Sequence, residues 1–214
     1  MSLYDAFTSV KSGEIEKNVH FFSIYERYLA SYKNRPCVLF LIIDEPHAQA
    51  QAEMWVRYLG AFSKIICLTN GYKGQDQIAF RAGNLDNPLF RKQLVIEFGA
   101  PDIVIDDGSH LPEDTISSFE NLNSIIKNNG LYFIEDTYTS SYTSYWENYK
   151  GSLGDPGTIL GYAKDLIDEM HAHHTGQVIP ANSFSENVQS MHIYDGLLVF
   201  EYGRYLDRRS VKNF

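Results

Sequence analysis

The sequence predicts an α/β fold: a doubly wound, mostly parallel sheet finished by a C-terminal antiparallel hairpin. Three observations predict it. Short continuous apolar runs, as expected of strands buried on both faces, recur along the chain. Between them lie helical stretches, several of which open on proline. Near the C-terminus, two strand-like runs are joined by Asp195-Gly196, the favoured two-residue hairpin link.

The elements follow in order. Residues 1–35 form a helical lead-in whose aromatic and aliphatic side chains suit packing better than ligand binding. Residues 37–43 are the first buried strand. Pro46 opens a helix capped by Asp44 or Glu45 and running through Met54, Trp55 and Leu59. Residues 64–68 form the second strand and 77–82 a weaker one, and Pro88 starts a helix reaching Phe98. A strand over 102–105 runs out into Asp106-Asp107-Gly108, and a helix over 112–127 follows, stopped by Asn128-Asn129-Gly130. Residues 131–134 are the next strand. A polar and aromatic loop over 137–158 leads to a helix over 159–171, before the hairpin strands 189–194 and 197–202. No repeat, low-complexity tract or flexible linker divides the chain. Residues 1–214 are therefore expected to be one Rossmann-like domain.

Composition narrows the function. A net charge of −9 and a pI near 5.2 argue against nucleic acid, whose phosphates call for Lys and Arg. The longest apolar run is far too short to span a bilayer. The N-terminus lacks the basic and apolar segments of a signal peptide, so a cytoplasmic location is expected. Cys37 and Cys67 each lie in an apolar run and are expected to be buried thiols; no paired-cysteine motif suggests zinc. Arg204, Arg208 and Arg209 suggest a surface or subunit contact, consistent with a homo-oligomer.

Ligands in open α/β sheets sit at the carboxyl ends of the strands. Two neighbouring strands end there in acids, Asp106-Asp107 and Glu135-Asp136. Carboxylates brought this close repel one another, and a hard divalent cation such as Mg²⁺ relieves the conflict. Helix capping, or ion pairs with Lys and Arg, would also account for them. His110, three residues past Asp107, suits a general base, a metal ligand or a cap for the following helix.

Residues 101–146, with Asp-Asp-Gly-Ser-His and Gly-Leu-Tyr-Phe-Ile-Glu-Asp, resemble the macrocin/mycinamicin sugar O-methyltransferase family, related to the cephalosporin-hydroxylase-like proteins. Weaker similarity extends from about Val38 to Tyr202. The resemblance implies a class I methyltransferase that uses S-adenosylmethionine and Mg²⁺ on a sugar hydroxyl of a small-molecule or glycan substrate. It also implies Asp107, Glu135 and Asp136 as metal ligands and His110 as base. Tyr138, Tyr142, Tyr145 and Trp146 would suit a sugar ring or loop packing equally well.

The cofactor half departs from the family pattern. Asp44-Glu45-Pro46-His47-Ala48-Gln49-Ala50-Gln51 has no glycine where the family carries a Gly-rich turn, and the second strand ends in Leu68-Thr69-Asn70-Gly71 rather than in an acid. The remaining cofactor contacts are Asp44 or Glu45 toward the ammonium group, Asn70 at the ribose position, Asn84 toward adenine, and Asp106. Two alternatives follow: a relative that has lost the cofactor and serves as a sugar-binding or assembly subunit, and a metal-dependent hydrolase using the acidic rim.

Overall fold

The computed structural model describes residues 1–69, 77–141, 152, 154–203 and 210–213. Its strands are β1 (Cys37–Ile43), β2 (Ser63–Leu68), β3 (Ile78–Arg81), β4 (Ile103–Asp107), β5 (Leu131–Glu135), β6 (Val188–Tyr194) and β7 (Leu197–Tyr202). They form one sheet in the order β3-β2-β1-β4-β5-β7-β6. Strands β1 to β5 are parallel to one another, while β7 runs antiparallel to both β5 and β6. The expected hairpin is thus present, turning at Gly196, whose φ of +73° favours glycine.

Both faces are covered, which explains the unbroken apolar runs. Along β1, Leu39, Leu41 and Ile43 point to one face and Phe40 to the other, as a period of two requires. The first face packs against α1 (Leu3–Thr8), α2 (Val19–Leu29) and α3 (Glu45–Leu59), with Tyr25, Trp55 and Phe133 at its centre. The second packs against α4 (Pro88–Phe98), α5 (Pro112–Leu122) and α6 (Ile159–Met170), with the short α7 (Ser183–Asn187) beside them. Prolines stand in the first turns of α3, α4 and α5, as their fixed φ and missing N–H predict.

One boundary differs. The α5 helix stops at Leu122 rather than continuing to 127. The Asn123 side-chain amide donates to the Glu120 carbonyl at 2.9 Å, taking the acceptor that the next turn would have used. Among the described residues, no helix is long and apolar enough to cross a membrane.

Candidate active site

Register sets the rim. Asp106 lies level with Ile134 across β4 and β5, so the next step brings Asp107 beside Glu135. Alternation then splits the two aspartates between the faces. Asp106 turns toward the α5 side, where the Tyr132 hydroxyl donates to it at 3.4 Å. Burial pushes its carboxyl up to about 8, with the charge of Asp107 adding to the effect. Asp107 turns toward α2 and α3, and Glu135 faces the same way.

Two cavities open on this rim. One, of about 410 Å³, lies on the α2–α3 side and is lined by Asp107, His110, Glu135, Asp136, Gln51 and Lys17, among others. The other, of about 350 Å³, lies on the α4–α5 side and is lined by Thr69, Asn84, Asp86, Asp106, Asp114 and Ser117, among others. Asp44, Gly108 and Ser109 border both, so the cavities adjoin across the tips of β1 and β4.

Within the first cavity, Asp107, His110 and Asp136 bring one potential ligand atom each within 4.8 Å of one another. His110 Nε2 stands 3.8 Å from Asp107 Oδ1 and 3.6 Å from Asp136 Oδ2. Both His110 and Asp136 hold left-handed backbone, with φ of +57° and +54°. Such φ values are uncommon outside glycine and cost energy, which persists where surrounding structure enforces it, often at functional sites. Burial raises the Asp136 carboxyl.

Glu135 sits deeper. Its side chain is 2% exposed, and both of its oxygens accept from Lys17 Nζ at 2.7 Å. The Tyr25 hydroxyl donates to Oε1 at 2.6 Å. Lys17 Nζ also donates to Asp107 Oδ2 at 2.7 Å, and Gln51 Nε2 reaches the same oxygen at 2.6 Å. That leaves Asp107 Oδ1 toward His110. Burial and the neighbouring Asp107 push the Glu135 carboxyl up to about 8, against the pull of Lys17. Burial opposes the Lys17 ammonium, but the two carboxylates more than offset it and hold its proton above the ordinary lysine range.

The donor set suits a hard cation. Asp107 is common to two groupings, one with His110 and Asp136 and the other with Glu135 through Lys17, and the buried ammonium in contact with Asp107 and Glu135 shows that the pocket stabilises positive charge.

The residues expected on the cofactor side are less organised. Asp44 occupies the cap position of α3 without making a side-chain cap bond, and both it and Glu45 are exposed. Asn84 is exposed, its Oδ1 accepting from the Asp86 backbone N–H at 2.8 Å. Asn70 lies outside the described residues, as do Tyr142, Tyr145, Trp146, Arg204, Arg208 and Arg209.

Sequence reasoning missed Lys17, Tyr25, Asn18 and Gln51. Lys17 and Asn18 lie just before α2, where a polar residue signals only a helix start. The Asn18 side chain makes no cap bond and instead donates to Asp136 Oδ1 at 3.2 Å. Tyr25 does pack, as expected of the lead-in, but its hydroxyl also serves the site. Gln51 offered one signal: an amide on the buried face of an amphipathic helix.

The strand order and both covered faces define a Rossmann-like fold of the methyltransferase type. An O-methyltransferase from Bacillus cereus in complex with SAH shares it at a TM-score of 0.52 and 11% identity, over 94% of this chain and 90% of that one. MycE methyltransferase of the mycinamycin pathway, in complex with Mg, SAH and mycinamycin VI, matches at a TM-score of 0.77 and 24% identity, over 100% of this chain and 57% of that one.

By sequence the chain is similar to the macrocin/mycinamicin sugar O-methyltransferases. It is 28% identical to demethylmacrocin O-methyltransferase of Streptomyces fradiae, covering 87% of this chain and 49% of that protein. It is 26% identical to the 8-demethyl-8-alpha-L-rhamnosyl tetracenomycin-C 2'-O-methyltransferase of Streptomyces olivaceus, covering 90% and 53%. The chain thus spans about half the length of the curated relatives it matches. No family model matches it.

Proposed function

We propose that this chain carries the active site of a Mg²⁺-dependent O-methyltransferase that moves a methyl group from S-adenosylmethionine to a sugar hydroxyl of a glycosylated small molecule. One observation carries the reading most: two cavities adjoin at the strand tips, and one is walled by converging carboxylates beside His110. Such a layout suits a cofactor and an acceptor meeting at a shared border. The relatives are named for methylation of rhamnosyl and macrolide substrates, which supports a sugar as acceptor.

Asp107, Glu135 and Asp136 would hold the divalent ion. Bound there, it supplies Lewis acidity that makes a sugar hydroxyl easier to deprotonate. His110, bordering the same cavity, takes the hydroxyl proton at Nε2, and the imidazolium that forms faces the carboxylates of Asp107 and Asp136. Asp44, on the border of both cavities, or the neighbouring Glu45 would meet the cofactor's ammonium group. Asn84 and Asp106 border its cavity, and Asn70, outside the described residues, is the sequence-based candidate for the ribose. Tyr138 lines the acceptor cavity.

The test is methyl transfer by the purified chain to a panel of deoxysugar glycosides with Mg²⁺. Turnover should vanish in chelator and in Asp107→Ala, with the circular dichroism spectrum unchanged. Full turnover in chelator would remove the metal from the mechanism.

The glycine-free turn from β1 into α3 favours a second reading, a sugar-binding relative without the cofactor. Saturable binding of S-adenosylmethionine by calorimetry would end it.

A further inference from the structure

We propose that Lys17 is a tethered counter-ion of this centre: its ammonium fills the cation seat between Asp107 and Glu135 and gives way when a divalent ion takes that seat. The inference rests on the metal reading above and adds a residue that sets how readily the metal binds.

The geometry is that of a seat. One ammonium lies 2.7 Å from three carboxylate oxygens belonging to two strands, and its side chain is only 1% exposed. Those strands are rigid parts of the sheet, and Tyr25 and Gln51 hold the same two carboxylates from behind. The carboxylates are therefore arranged for a cation before one arrives, and a lysine answers them. An ion held by the Glu135 oxygens at the roughly 2.1 Å typical of Mg²⁺ would crowd this ammonium and repel it, so the two cannot share the seat.

Lys17 is built to leave. It belongs to the irregular stretch between α1 and α2, in which residues 11–14 and 16 are exposed. Ahead of Lys17 the stretch is tied to α3 by the Ser12 N–H donating to Glu53 at 3.2 Å and by the Glu14 carbonyl against His47 Nδ1 at 3.3 Å. A long unbranched side chain on such a segment can swing out while α2 stays packed through Phe21, Tyr25 and Leu29. Closure by Lys17 lowers the apparent metal affinity by the fraction of molecules in which the seat is open.

Two measurements test this. The first uses the unaltered chain. Acetic anhydride labelling read by mass spectrometry should find Lys17 protected in chelator and labelled several-fold faster in saturating Mg²⁺, with the exposed Lys64 and Lys92 unchanged. Calorimetry on the same sample establishes that Mg²⁺ binds. Mg²⁺ binding with Lys17 still protected would overturn the exchange and leave the metal reading intact. In the second, Lys17→Met, purified with Mg²⁺ present, should bind Mn²⁺ about tenfold or more tightly than the unaltered chain. Its melting temperature should fall in chelator and recover with Mg²⁺ by a larger shift than the unaltered chain shows. Equal or weaker Mn²⁺ binding by the variant would overturn the inference. If neither protein binds Mn²⁺, the metal reading itself fails. Should the variant not fold, the labelling result decides alone.

Discussion

The two cavities that meet at Asp44 and Gly108 are built in opposite ways. On the α2–α3 side, Glu135 is buried and Asp107 and Asp136 are half-buried, each held by partners from distant parts of the chain, and two residues bear left-handed backbone. On the α4–α5 side, apart from the buried Asp106, the candidate contacts among the described residues are exposed, and the turn that usually cradles a nucleotide has no glycine. The difference teaches where structure has been committed. Converging carboxylates repel unless a lattice of donors fixes them, so a cation site must be constructed in advance. A nucleoside can be held by a few edge contacts and a cavity wall, and it tolerates a looser frame.

Predictions that break this contrast run from large to small. Asp107→Ala should lower Mn²⁺ affinity by about 100-fold or more, read by calorimetry, while S-adenosylmethionine binding is little changed. Equal loss of both ligands would mean that the two cavities are one site.

Tyr25→Phe removes a buried donor from Glu135 and should cost about 1–3 kcal/mol of stability, measured by urea denaturation. An unchanged denaturation midpoint would show that the hydroxyl does not help to build the metal side.

Asp44→Asn should weaken S-adenosylmethionine binding by about fivefold, the size expected of one exposed charge, with Mn²⁺ affinity unaltered. A far larger effect would mean that the cofactor side is also organised around a specific anchor.

Smallest of all, the sheet beneath both cavities should be chemically silent. Burial pushes the Cys37 thiol up to about 11 and the Cys67 thiol up to about 12. Neither should react with a thiol reagent at pH 8 until the protein is unfolded.

The fold was legible because its signals are local. A run such as Cys37–Ile43 carries its own evidence of two-sided burial, prolines mark where helices begin, and Asp195-Gly196 names its own turn. The α5 end was less so, because whether Asn123 continues a helix or takes a carbonyl from it depends on geometry that composition does not reveal. The acidic rim was legible for a similar reason: adjacent strands ending in acids must bring those acids near one another. What sequence could not supply was the partner from far along the chain. Lys17 reaches Glu135 across 118 residues, and nothing about an isolated lysine before a helix announces that meeting.

Anomalous diffraction from crystals grown with Mn²⁺ and S-adenosylhomocysteine would locate the ion and the nucleoside together. The expected map has a manganese peak bounded by Asp107, Glu135 and Asp136, Lys17 displaced from that position, and a nucleoside in the cavity lined by Asn84 and Asp106. A map with no manganese at the rim, and the lysine ammonium still seated between Asp107 and Glu135, would contradict the proposed metal site.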